Sequence, residues 1–454
     1  MAELAFQSAV KIAARIRDRQ LSACECLDYF RRRVERFNKP INAIVAFDWE
    51  RALRRARLAD EAAAQGEWWG PLHGLPMTVK ESYDYAGLAT TWGDPALADN
   101  IATEDDLAVQ RLEAAGAIVF GKTNVPLRLL DFQSYNDMHG VTRNPWDLAR
   151  SPGGSSGGAA AALAAGLTGL ELGNDIGGSI RNPAHHCGVY GHKSTFDLVG
   201  ATRNSAPGDA TSHTDLAVAG PLARSAEDLA VAMQILAGPG PFETPVWRPQ
   251  LPTPVKSLRE YRVVVWPDDE RVAVAAEISA RCQRVADTLA GIGAHVSDSA
   301  RPDVDLQEVK AIYRQLLDAA TNPSSALKHT EWLALSRRRA QLRLRWREFF
   351  KDWDIVIAPI AATTAIEHDH RPLTERELTV NGKPVKYFQQ IFWAGLVTVA
   401  HLPSTAFPTG PSATGLPIGL QAFGKAYDDL ITIDFVRRLG EHIGGFTPPP
   451  GYGD

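Results

Sequence analysis

Two glycine-rich stretches carry serine hydroxyls: Gly153-Gly154-Ser155-Ser156-Gly157-Gly158, and Gly173-Asn174-Asp175-Ile176-Gly177-Gly178-Ser179-Ile180-Arg181. Glycines admit backbone conformations closed to other residues, and glycines just before a serine let successive N–H groups point into one concavity, as a developing oxyanion requires. Ser179 would sit at the rim of that concavity, so the chemistry suggested is attack on an acyl carbon. A serine hydroxyl is a poor nucleophile unless a base takes its proton. His185 and His186 lie nearby in the chain, but without an aspartate at a diagnostic spacing. Lys80 is the other candidate. Met77-Thr78-Val79 reads as a strand that carries it inward, where burial lowers an ammonium pKa and populates the neutral amine. Taken alone, a lysine is more often a solvated surface residue.

The elements that must position these groups follow from periodicity and punctuation. Between the two loops lie an Ala-rich helix ending near Gly166 and a short strand around Leu170–Leu172, which predicts that the loops meet at one sheet edge. Ser22 and Glu25 form an S-x-x-E capping box for a helix to Phe37, with Cys26, Phe30 and Val34 at helical spacing. Thr103, followed by three acidic residues, predicts a helix ending at Gly116, with Ala117–Phe120 as the next strand. Tyr261–Trp266 reads as a strand and Val272–Leu289 as a helix. The alternation makes the class α/β. The Pro- and Gly-rich stretch from Gly238 to Pro254 reads as a surface connection and a subdomain boundary. The arginines between Trp332 and Phe350 read as a solvated helix face, because Leu335, Leu342, Trp346 and Phe349 make a core stripe beside them.

Composition narrows the partners. A chain of 454 residues with 45% hydrophobic and 22% charged residues can bury a sizeable core, and a net charge of −5 opposes nucleic acid and anionic membrane. Cys24, Cys26, Cys187 and Cys282 show neither a disulfide framework nor zinc spacing, so they read as reduced thiols. Met1–Gln20 has no signal-peptide core and no apolar run approaches ~20 residues, so the expected location is cytoplasmic.

Several motifs together carry a family resemblance. Gly70-Pro71-Leu72-His73-Gly74-Leu75-Pro76-Met77-Thr78-Val79-Lys80, Gly121-Lys122-Thr123-Asn124 and the two glycine loops resemble the amidase signature family. The likeness extends to Gly188-Val189-Tyr190-Gly191-His192-Lys193, to Ala219-Gly220-Pro221-Leu222-Ala223-Arg224-Ser225, and to Gly415-Leu416-Pro417-Ile418-Gly419-Leu420-Gln421. It is weakest from about 240 to 350. The resemblance implies one large domain, residues 1–454, built on a mixed twisted β-sheet covered by α-helices, with a variable cap-like region at about 240–350. It implies a Ser-Ser-Lys triad of Lys80, Ser155 and Ser179, with a cis peptide before Ser155. Neutral Lys80 would draw a proton from Ser155, which draws one from Ser179 as it attacks. Backbone N–H groups of Ile176, Gly177, Gly178 and Ser179 would hold the oxyanion, while Ser156, Asp175 and Arg181 brace the loops. The activity implied is cleavage of a C–N acyl bond without a cofactor. The partner is then a small-molecule amide, ester or carbamate; no nucleic acid or membrane is expected, and a homodimer is allowed for.

The sequence departs from the common pattern at Glu81, Asn174, Leu127-Arg128 and Ser194, which touches substrate and supporting contacts more than the reaction class. Tyr135, Met138, Phe388 and Trp393 are pocket candidates by their position relative to the motifs. Three rivals remain. Within the family, a glutamine-hydrolysing amidotransferase subunit would need partner chains. Gly116-Ala117-Ile118-Val119-Phe120-Gly121-Lys122-Thr123 fits the P-loop pattern by letter, but strand-forming residues fill its loop and Pro126 follows closely. A metal centre at His185, His186 and Cys187, or at Glu367, His368 and His370, has the right ligand types, but adjacent residues rarely converge on one ion.

Overall fold

The computed structural model describes residues 4–200 and 214–453. The dominant element is a mixed sheet of eleven strands. In spatial order they are Ile44–Phe47, Ile118–Thr123, Pro76–Lys80, Glu171–Asp175, Val218–Ala223, Tyr190–Lys193, Ser404–Pro411, Pro417–Phe423, Ile355–Pro359, Arg262–Val265 and His295–Ser297. Pro76–Lys80 runs parallel to both its neighbours, pairing Thr78 with Glu171 and Val79 with Leu172 on one side. Helices cover the sheet, and the apolar side chains of strands such as Val263, Val264 and Ile355–Ile357 are buried beneath them. This is the α/β class expected.

That parallel pairing is what builds the site. Two adjacent parallel strands end together, so Lys80 and the loop that follows Asp175 leave the sheet at the same end, where open α/β sheets bind ligands. The two glycine loops do meet, since the Ser156 N–H donates to the Ser179 carbonyl at 3.0 Å. They meet beyond the carboxyl end of the fourth of eleven strands, however, and not at a lateral sheet edge. The Ala-rich helix Gly157–Ala164 lies between them and is buried throughout, which suits side chains no larger than a methyl in most of its turns.

The Ser22 capping box is present in both halves, Glu25 N to Ser22 Oγ at 3.0 Å and Ser22 N to Glu25 Oε2 at 2.8 Å. Its helix spans Ala23–Ile41 and stops where Asn42 turns left-handed. The helix expected from Thr103 instead begins at Leu107. Asp105 is withdrawn to bind Arg51 at 2.6 Å and the Ala86 N–H at 2.8 Å, and Asp106 caps the helix through the Ala108 N–H. Likewise the helix read from Val272 runs Ala276–Ile292. The residues from about 240 to 350 supply the last two strands of the sheet and the helices Leu306–Thr321 and His329–Phe349. On the latter, Leu335, Leu342 and Trp346 are buried as the stripe predicts, and Arg339 is spent on Asp215 at 2.7 Å. Phe242, Val246 and Trp247 are exposed on the connection that precedes them. No helix among the described residues is long and apolar enough to cross a membrane.

Candidate active site

Lys80 ends its strand fully buried, with Nζ 2.7 Å from Ser155 Oγ and 2.6 Å from Asn174 Oδ1. Burial pulls its pKa down to about 7, against the opposing charges of Asp175, Glu171 and Glu81. Near neutrality the amine is therefore available without its extra proton. Its lone pair can then accept from Ser155 while an N–H remains on Asn174, which is itself fixed by donating to Ser82 Oγ at 3.0 Å. Asn174, a departure by the family pattern, is thus a direct partner of the lysine.

The Gly154–Ser155 peptide is cis. Ser134 stands behind the loop, donating to the Gly153 carbonyl at 3.1 Å and accepting from the Gly157 N–H at 3.1 Å. Ser156 braces the second loop through its backbone N–H and also donates from Oγ to the Asn174 carbonyl at 3.4 Å. Ser179 is buried, at 6% exposed, on the same loop as the half-buried Ile176.

Asp175 organises the second loop. Its Oδ1 accepts from the Gly178 N–H at 2.8 Å and its Oδ2 from the Ile180 N–H at 3.1 Å, while Arg181 grips both oxygens from Nε and Nη2. Burial alone would raise this carboxyl, but the charge and hydrogen bonds of Arg181, with Lys193 and the Gly178 N–H, hold it at about 2. Gly178 has φ +104°, and an added Cβ would lie 2.9 Å from that of Ala394, so both backbone and space require glycine. Its N–H is engaged by Asp175, whereas among the described residues the N–H groups of Gly177 and Ser179 find no acceptor. Arg181 continues to Gln421 Oε1 at 2.9 Å and Thr398 Oγ1 at 3.0 Å, tying the loop to the helix Ile391–Val399 and the strand Pro417–Phe423.

Because the Asp175–Arg181 pair is wholly buried, Arg181→Met strands a carboxylate in the interior. We expect the urea-unfolding free energy to fall by about 3–5 kcal/mol, with partial recovery when Asp175→Asn is added.

The remaining expected positions have separate fates. Glu81 is consumed by the Thr91 and Trp92 backbone N–H groups at 2.6 and 2.8 Å. Trp393 is fully buried in the core against Trp266. Phe388 is exposed beside Phe132, Met138 is half-buried, and Tyr135 stacks on His370 and receives a hydrogen bond from Arg376. Lys122, the P-loop lysine by letter, lies within the strand Ile118–Thr123 and donates to the Ala89 carbonyl and Thr90 Oγ1, with no loop to cradle phosphate. His185 is spent on Gly419 and Thr363. Among the described residues no three His, Cys, Asp or Glu side chains are grouped to hold a metal.

A family model described as Amidase matches residues 25–327 and 307–432. An indoleacetamide hydrolase of Bradyrhizobium diazoefficiens is 32% identical, over 96% of this chain and 86% of its own. A subunit of the glutamyl-tRNA(Gln) amidotransferase of Anaeromyxobacter sp. is 29% identical, over 95% of both chains. Among solved structures, a 6-aminohexanoate cyclic dimer hydrolase complexed with substrate superposes with a TM-score of 0.82 at 25% identity, covering 99% of this chain and 100% of that one. The chain belongs to the amidase signature family.

Proposed function

We propose that the protein hydrolyses a small-molecule amide through an acyl-enzyme on Ser179. The observation that carries this reading is a buried lysine, able to be neutral near pH 7, in hydrogen-bond contact with Ser155, next to the residue whose backbone holds Ser179. Lys80 Nζ takes the Ser155 proton, Ser155 Oγ takes that of Ser179, and Ser179 Oγ bonds to the carbonyl carbon. The carbonyl oxygen becomes an oxyanion against the loop N–H groups, chiefly those of Gly177 and Ser179, with Ile176 beside them and Gly178 shaping the turn. When the tetrahedral intermediate collapses, the proton returns along the same path to the leaving nitrogen, and the C–N bond breaks. Water then attacks the acyl-enzyme by the same relay, releasing the acid.

Aryl esters and carbamates present the same carbonyl with a different leaving group, and are included in the proposal. The similarity to an amidotransferase component supports a second reading, glutamine hydrolysis feeding ammonia to a partner-bound substrate. The test is product release from an aryl amide, a primary amide, glutamine, an aryl ester and an aryl carbamate, followed by peptide mapping of quenched enzyme. An acyl or carbamoyl adduct on the peptide bearing Ser179 is expected. Turnover with the adduct on another residue would sink the assignment, and turnover of glutamine alone would favour the second reading.

The same proposal sets the pH dependence. Below about 7 Lys80 carries its proton and cannot accept another, so kcat/KM should rise roughly tenfold per pH unit on that limb and level off above it. A profile flat from pH 5 to 8 would remove Lys80 as the base.

A further inference from the structure

Two consecutive glycines give the Ile176–Ser179 loop an inherent weakness, because peptide planes flanked by glycine rotate at little steric cost. An oxyanion site needs those planes held before the substrate arrives. One of them is held from within the loop, since the 177–178 peptide is fixed by its N–H donating to Asp175 Oδ1. The preceding plane is held from elsewhere. Tyr313 Oη donates to the Ile176 carbonyl at 2.9 Å, reaching in from the helix Leu306–Thr321, in the stretch where the family motifs are weakest.

Tyr313 is itself tightly placed. It is 2% exposed, and its ring packs on the backbone of the helix Ile391–Val399 at Gly395, where an added Cβ would overlap the ring. Its hydroxyl stands over Gly177, 3.2 Å from where a Cβ would be, alongside Ile391. Burial keeps the phenol protonated, so it remains a donor. The 176–177 peptide is not among the cis bonds, and in a trans peptide the carbonyl of one residue and the N–H of the next point in opposite directions. A bond that draws the Ile176 carbonyl toward Tyr313 therefore turns the Gly177 N–H away from it.

We propose that Tyr313 is a positioning residue, which by anchoring the Ile176 carbonyl holds the Gly177 N–H toward the oxyanion of a substrate bonded to Ser179. This rests on the acyl-transfer reading above. Tyr313 touches no reacting atom and acts only through the peptide plane.

The test compares wild type with Tyr313→Phe, using the best amide of the panel and an aryl trifluoromethyl ketone, whose carbonyl carbon accepts Ser179 Oγ and leaves the charge on its oxygen. Concentrations are set by active-site titration, so misfolded molecules do not count. Because the donor itself survives and only its aim is lost, kcat should fall by about 10- to 100-fold, less than for deletion of a direct donor. KM should stay within about twofold, and the ketone inhibition constant should rise by the factor that kcat/KM loses. Gly395→Ala, which keeps the hydroxyl but displaces the ring, should show the same paired loss. Wild-type kcat in Tyr313→Phe, or a reduced kcat with unchanged ketone affinity, would overturn the proposal. A wild-type protein inert to every panel member and to the ketone would overturn the hydrolase reading, and this inference with it.

Discussion

Ser179→Ala should abolish turnover while leaving the protein folded, a loss of roughly 10⁴- to 10⁶-fold by comparison with nucleophile deletions in other serine hydrolases. The hydroxyl oxygen forms the only covalent bond to the substrate in the proposed mechanism, so no neighbouring group can replace it. The loop, in contrast, is held by backbone and by its neighbours: Ser179 contributes its carbonyl to Ser156, while Asp175 and Arg181 secure the residues on either side. Denaturation midpoints of the two proteins should therefore agree to within about 0.5 kcal/mol, as for a substitution that breaks no structural contact. Measured together, the two quantities separate chemistry from folding. Ser179→Ala with undiminished amine release would require another nucleophile, and Ser155 would be the first to examine.

How much of this can be read from the chain depends on the range of the interaction. Local signals are strong. The strand leading to Lys80, the capping box at Ser22, the Ala-rich helix between the glycine loops and the buried stripe of Leu335, Leu342 and Trp346 all follow from neighbours in sequence. Boundaries shift where a distant group competes. Asp105 reads as part of a helix's first turn, but Arg51, 54 residues away, claims it, and the helix starts later. The meeting of the two loops follows from the chain, but its place in the sheet does not, because strand order is set by pairings that no local pattern encodes.

The site divides in the same way. Lys80 and the serines stand in motifs dense enough to be noticed, and Asp175 and Arg181 lie beside them. Asn174 is visible only as an unusual letter; that it holds the lysine emerges from Asn174 Oδ1 lying 2.6 Å from Nζ. Tyr313 has no signal at all. It stands 137 residues from the carbonyl it binds, on a helix whose residues show only that one face is apolar.

Lys80→Met should lose activity by roughly 100- to 10,000-fold, the range that a general base contributes, and should change stability in a direction that depends on pH. Methionine fills similar space without a charge, but leaves Ser155 Oγ and Asn174 Oδ1 without their shared partner, at about 1–3 kcal/mol for each buried group. Against this stands the cost of keeping an ammonium in the interior. The folded pKa of Lys80 is about 7 against 10.5 when free, so the unfolded chain binds the extra proton more readily. That penalty is present in full below pH 7 and is progressively relieved as pH rises toward the unfolded value. Wild type should therefore gain on Lys80→Met by roughly 2–3 kcal/mol between pH 6 and pH 9, at about 1.4 kcal/mol per pH unit above 7. Glu171 modulates the window. Burial raises its carboxyl to about 8, with Thr78, Thr123 and the Leu172 N–H nearby and the charge of Lys80 opposing, and removing that charge keeps it neutral to higher pH. Urea unfolding of both proteins at the two pH values reads the difference. A stability gap independent of pH would mean that Lys80 keeps its proton in the folded protein throughout this range, as it does in the unfolded chain, and an ammonium has no lone pair with which to accept the Ser155 proton.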